Sequence, residues 1–114
     1  KVAILGYAYL ENSDDTRNSP SKMLYINLYR SHVEVVINDP WVSEYQTDLM
    51  ETVKGCDAAV LMVAHDAYRD LDLAALRDEL RTPILIDGRH FFDAAAAREA
   101  GLYYRCIGQG MGDA

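Results

Sequence analysis

The sequence is short of several things, and each shortage closes off a class of function. Only two cysteines occur in 114 residues. Cys56 and Cys106 stand far apart, in no metal-ligand or redox spacing. Both adjoin apolar runs, so they read as buried free thiols of an intracellular, cytoplasmic protein. No apolar run approaches the length needed to span a bilayer, and no basic leader with a cleavage pattern is visible, so no membrane partner is expected. Basic residues are outnumbered, 11 Lys and Arg against 18 Asp and Glu, for a formal net charge of −7. Nucleic acid is therefore not expected as a partner, because neutralising phosphates takes clustered Lys and Arg. A small phosphate-bearing ligand stays open, since it needs only one or two local cations or free backbone N–H groups. There is no internal repeat, low-complexity tract or second domain, and the length fits one domain. An initiator methionine is missing as well. Lys1 runs directly into a strand, which suggests a domain cut from a longer polypeptide.

What is present is a core and a rhythm. Half of the residues are apolar (50%) and a quarter are charged (25%), as in a packed globular domain. Val2–Leu5 is a short apolar run closed by Gly6 and reads as a buried strand. Ser19 is placed to cap a helix with Pro20 in its first turn, and the helix should end near His32. Val33–Asn38 is a second strand, closed by Asp39-Pro40. Residues 47–54 suit a short helix stopped by Gly55. Ala58–Val63 lacks polar alternation, which predicts a strand with both faces buried. A helix over Leu73–Leu80, a strand over Pro83–Ile86, a helix over Ala94–Ala100 ended by Gly101, and a last strand over Leu102–Arg105 complete the pattern. Residues 108–114 form a glycine-rich, frayed tail. The alternation predicts an α/β fold of the Rossmann-like kind: three layers, α/β/α, with an open, mainly parallel sheet of about five strands spanning residues 1–107.

In such a fold ligands sit beyond the carboxyl ends of the strands. The segments landing there are 6–17, Asp39-Pro40, 64–66 and 87–90. The first turn, GYAYLEN, is not a dinucleotide fingerprint. Tyr9 and Glu11 stand where further glycines are needed for a pyrophosphate to approach the backbone. Asp39 occupies the place of an acid that holds an adenosine ribose, but before Pro40 it reads better as an Asx turn capping the strand exit. Bound NAD is therefore not expected in this chain. His65-Asp66 has no adjacent nucleophile. It reads as a rim histidine followed by an aspartate capping a short turn over Asp66–Asp70. Asp14 and Asp15 favour the coming helix dipole, with Arg17 paired to one of them in a buried bridge that locks the loop, though Arg17 stays open as a ligand contact. In IDGRH (residues 86–90) a tight turn projects Arg89 over the sheet edge. There it forks onto a phosphate, stacks on a base, or makes only a surface salt bridge.

Five segments in order, KVAILGYAY, DDTRNSPS, VINDPWV, ILIDGRHFFD and GLYYRCIGQG, resemble the C-terminal domain of the UDP-glucose/GDP-mannose dehydrogenases over nearly the whole chain. SDDTRNSPS, AHDAY and YYRCIGQG are most similar to the members that oxidise UDP-N-acetylhexosamines, UDP-N-acetyl-mannosamine dehydrogenases among them. The resemblance implies a larger, homo-oligomeric enzyme that oxidises the sugar C6 alcohol to a carboxylate with two NAD⁺. NAD and the catalytic cysteine would belong to an N-terminal domain, dimerisation to a central region, and the UDP end of the UDP-sugar to this domain. Neither Cys56 nor Cys106 matches the catalytic cysteine. By the same resemblance the substrate-binding positions are Tyr9, Leu10 and Arg89, with Arg17 of second rank and no catalytic, cofactor-binding or metal-ligating residue. Leu10 stands where many members carry lysine. Its side chain cannot meet a phosphate, which leaves the backbone of Tyr9 and Leu10 to read the uracil edge. The rival reading is a free-standing Rossmann-like nucleotide-binding or interaction module without catalysis.

Overall fold

In a computed structural model of the chain, residues 1–107 are described, and the glycine-rich segment expected as a frayed tail lies outside the described residues. The first strand, β1 (Val2–Leu5), stops where Gly6 turns the chain at φ +96°. A side chain there is excluded twice. The φ suits only glycine, and an added Cβ would lie 2.6 Å from the Val63 Cβ. The chain then loops to α1 (Pro20–Arg30), whose cap is Ser19 and whose first helical residue is Pro20, as the sequence predicts. The remaining elements follow in order: β2 (Val35–Asn38), α2 (Leu49–Val53), β3 (Ala58–Leu61), α3 (Leu73–Glu79), β4 (Ile84–Asp87), α4 (Ala94–Glu99) and β5 (Tyr103–Cys106). Short 3₁₀ turns at Ser43–Tyr45 and Asp66–Tyr68 sit in the loops after β2 and β3. The first of these has no counterpart in the sequence reading.

The five strands are all parallel, in the order β2-β1-β3-β4-β5. The chain moves outward from β1 to β2, then returns past β1 and advances through β3, β4 and β5. Right-handed crossovers therefore place α1 on one face and α2, α3 and α4 on the other. The core follows that division. Ala3, Leu5, Ala59, Leu61, Leu85 and Tyr104 share one sheet face and pack with Val53, Leu76, Leu80 and Ala97. The α1 face is thinner. Val60, Met62, Ile84 and Ile86 are half-buried there, and Tyr103 is exposed. The expectation that β3 is buried on both faces is thus corrected. Its pattern alternates between fully and partly buried, because a single helix covers the second face. β1 keeps its expected bounds, while the other strands shift by one or two residues at one or both ends. β3 leaves the ladder after Leu61 because its neighbour β1 has already turned at Gly6.

Cys56 is buried and free, as expected, and burial pushes its thiol pKa up. Cys106 is also free but only partly buried, because it ends an edge strand.

Candidate functional site

The switch point of the sheet lies between β1 and β3, where the chain leaves in opposite directions, and the crevice at their carboxyl ends is the expected ligand position. Here the turn after β1 is filled from within. The Gly6 N–H donates to the Asn38 carbonyl (2.7 Å) and the Tyr9 N–H to the Asp15 carbonyl (2.6 Å). Between them, the Tyr7 and Ala8 N–H groups both donate to Asp39 Oδ2, at 2.7 and 2.9 Å. The Ser19 and Ser21 hydroxyls donate to the Tyr7 and Gly6 carbonyls. The N–H groups that a pyrophosphate would need are already bonded, so the residues present do not fit a dinucleotide at this turn.

Asp39 is fully buried. Its Oδ1 accepts the Trp41 N–H at 2.7 Å, the Asx turn foreseen from Asp39-Pro40. Its Oδ2 also meets His65 Nε2 at 2.9 Å. Burial works to raise its pKa, but the hydrogen bonds from Ala8, His65, Tyr7 and Trp41 outweigh it and hold the carboxyl below the usual 3.8. His65 is equally buried, which corrects its expected place at the rim. Asp66 does not cap its turn either. Its carboxylate accepts from Asn12 Nδ2 and Arg69 Nε, both at 3.0 Å.

The loop after the turn carries the other candidates. Tyr9 and Leu10 are exposed. The Tyr9 N–H is spent on Asp15, so among the described residues the Tyr9 carbonyl and the Leu10 N–H and carbonyl are what remains for a ligand, which narrows the expected backbone contact. Arg17 pairs with Asp15, through Nε to Oδ1 (3.0 Å) and Nη2 to Oδ2 (2.9 Å). That bridge ties the loop together as expected but is a surface pair, with the Arg17 side chain 86% exposed, which corrects its expected burial. Arg17 beside it holds the Asp15 carboxyl at about 2, well below the usual range.

Across β3, the IDGRH turn is built around Asp87, fully buried at the end of β4. Its carboxylate accepts the N–H groups of Arg89, Phe91 and Phe92 and the Tyr104 hydroxyl, at 2.9, 2.7, 2.8 and 2.7 Å. Burial, then the Asp87 carboxylate, push the Tyr104 phenol up and keep it a donor. Gly88 crosses so close to β3 that a Cβ would lie 2.8 Å from the Leu61 carbonyl oxygen. Arg89 then lies across the β3 exit, its Nε donating to the Met62 carbonyl at 2.8 Å. Among the described residues neither terminal nitrogen has a partner, which leaves an undivided fork able to take a phosphate. A hollow of about 230 Å³ adjoins it, lined by Pro20, Met62, Gly88, Arg89 and Ile107.

Tyr9, Leu10 and Arg89 therefore stand on one sheet edge, on either side of the β3 exit, while no hydrogen bond among the described residues joins them. A hollow of about 410 Å³ beside Trp41 carries Asp14 and Glu44 and repels a phosphate. One of about 620 Å³ is lined by Val33, Glu34 and Val35, at the amino end of β2 and away from the strand exits. Among the described residues no three His, Cys, Asp or Glu side chains gather to hold a metal, and no helix is long and apolar enough to cross a membrane.

A family model, described as the UDP binding domain of the UDP-glucose/GDP-mannose dehydrogenase family, matches residues 3–94. The chain belongs to that family. It is 34% identical over 110 residues to a UDP-N-acetyl-D-mannosamine dehydrogenase of Pyrococcus horikoshii, covering 96% of this chain and 25% of the relative. It is 31% identical to a UDP-glucose 6-dehydrogenase of Pseudomonas aeruginosa, covering 95% and 27%. Among solved structures, a UDP-D-ManNAc dehydrogenase from Pyrococcus horikoshii superposes with a TM-score of 0.82, over 96% of this chain and 25% of that one. An NDP-N-acetyl-D-galactosaminuronic acid dehydrogenase from Methanosarcina mazei does so with 0.86 at 30% identity, over 93% and 24%. The chain spans about a quarter of the length of these relatives. All four are dehydrogenases by name.

Sequence reasoning missed His65, Asp87 and Tyr104 as the supports of the two loops. An acid closing a buried strand, as in ILID, was the available signal for Asp87.

Proposed function

We propose that this chain is the C-terminal domain of an NAD-dependent UDP-sugar 6-dehydrogenase and holds the uridine diphosphate end of the substrate. The full enzyme oxidises the C6 alcohol of a UDP-sugar to a uronate; the name of the Pyrococcus horikoshii relative favours a UDP-N-acetylhexosamine, and that of the Methanosarcina mazei one an N-acetylated sugar on an unspecified nucleotide. NAD and the catalytic groups belong to the rest of a cytoplasmic, homo-oligomeric enzyme, in keeping with an occupied first turn and two unpaired thiols here.

The observation that carries the reading is Arg89. It is anchored by Nε to a backbone carbonyl, with its fork open, on the same strand-exit edge as the exposed Tyr9–Leu10 tip. Arg89 takes the diphosphate, the Tyr9 ring walls the uridine, and the Leu10 backbone reads the base. Arg17, occupied by Asp15, is a secondary contact.

The test is a titration of the chain with UDP, and separately with NAD, followed by backbone amide NMR. UDP is expected to shift Leu10, Gly88 and Arg89 and NAD to shift nothing. Half a cleft binds weakly, with Kd in the millimolar range or above, on the order of −4 kcal/mol. NAD shifts centred on Gly6 and Asp39 would overturn the assignment.

A further inference from the structure

His65, like Asp39, joins strand-exit segments of the switch point: it links the β2 exit to the β1–α1 loop from the end of β3. It follows β3, is fully buried, meets Asp39 after β2 through Nε2 (2.9 Å), and accepts the Asn12 N–H of the β1–α1 loop at Nδ1 (2.8 Å). Its ring lies beside Trp41 (centroids 6.4 Å apart, planes at 27°) and Tyr68 (5.8 Å, tilted by 53°). These bonds leave one tautomer. An N–H donating to Nδ1 requires that nitrogen bare, so the proton sits on Nε2 and is donated to the Asp39 carboxylate.

Asn12 is fixed further. It holds a left-handed φ of 54°, and its amide makes a reciprocal pair with Asp66, Nδ2 to Oδ2 and Asp66 N–H to Oδ1, each 3.0 Å. The tip Tyr9–Glu11 is thus clamped at both ends, by Asp15 on the Tyr9 N–H and by the 65–66 segment on Asn12.

We propose that His65 is a positioning residue for nucleotide recognition: its Nε2–H tautomer sets the Tyr9–Leu10 tip at a fixed height over the strand ends, so that the Leu10 backbone meets the base without reordering. His65 itself touches no ligand. The inference rests on the placement of the base at Tyr9–Leu10 proposed above.

Two substitutions divide its bonds. His65→Gln keeps a donor near Nε2 for Asp39 and loses the acceptor for Asn12. His65→Asn keeps an acceptor near Nδ1 and gives up Asp39. Long-range ¹⁵N correlation on the wild type should show a bare Nδ1. UDP affinity should fall about tenfold in His65→Gln, the equivalent of one ordered hydrogen bond, and recover within about threefold of wild type in His65→Asn. The exposed variant Asn12→Gly keeps the φ and the N–H, removes only the Asp66 clamp, and leaves the core untouched. It should weaken UDP about threefold with an unchanged unfolding midpoint. A protonated Nδ1 overturns the inference. So do His65→Gln or Asn12→Gly chains that bind UDP as the wild type does. A wild type whose Tyr9 and Leu10 amides ignore UDP, while Arg89 responds, instead overturns the base placement, and the role of His65 with it.

Discussion

Replacing Asp39 by asparagine removes a charge without changing shape, and its cost can be worked from the contacts. The carboxylate serves four donors: Tyr7, Ala8 and His65 on Oδ2, and Trp41 on Oδ1. The asparagine oxygen can keep the first three, but as bonds to a neutral acceptor, each weaker by about 0.5–1 kcal/mol. The amide NH₂ then faces the Trp41 N–H, donor against donor, for about 1 kcal/mol more. The expected loss is about 3 kcal/mol, measured by urea unfolding, against roughly 5–15 kcal/mol for a typical domain. Acid gives an independent arm. The folded carboxyl lies below its unfolded value of 3.8, so its stabilisation is complete above that value and fades as pH falls through the folded pKa. The asparagine variant has no such group, so the gap between the two proteins should narrow as pH falls below 3.8 through the lower folded pKa. A gap under about 1 kcal/mol at neutral pH, or one that does not change with pH, would refute the reasoning.

Arg89→Lys should lose UDP-induced amide shifts almost as fully as Arg89→Ala, since a point charge replaces the anchored fork; calorimetry or NMR showing unimpaired binding by the lysine variant would count against a bidentate phosphate contact. The Asp15 side-chain carbon should titrate at about 2, so that the Arg17 bridge is intact above about pH 4 and lost as pH falls towards 2, while Arg17→Ala changes the unfolding midpoint little because the pair is exposed. Gly88→Ala should cost about 1–3 kcal/mol in thermal or urea unfolding, because the new methyl meets the rigid Leu61 carbonyl at 2.8 Å.

Local chemistry made much of the fold legible. Gly6, the Ser19-Pro20 pair and Gly101 punctuate the chain where the structure breaks it. The alternation of elements was enough to predict parallel strands. Strand ends were less legible, because a ladder stops where its neighbour stops, as β3 does beside Gly6. At the site, the Asx turn of Asp39 needed only residues two apart and was readable. Its bonds to Tyr7 and Ala8 span 32 and 31 residues, and the His65–Asn12 bond spans 53. No local pattern in AHDAY announces such a partner. That Arg17 pairs with one of the two neighbouring acids was readable from spacing, whereas its exposure depends on the loop's tertiary surroundings.

The Asp39 carboxylate acts as a resident anion. It sits on the N–H groups of Tyr7 and Ala8, where a mobile nucleotide would otherwise compete, and it is tethered by the chain itself at an effective concentration no metabolite reaches. A cell is crowded with dinucleotides and nucleoside triphosphates that suit this architecture. By lodging one of its own side chains in that docking position, the domain leaves the N–H groups of Tyr7 and Ala8 already satisfied from within.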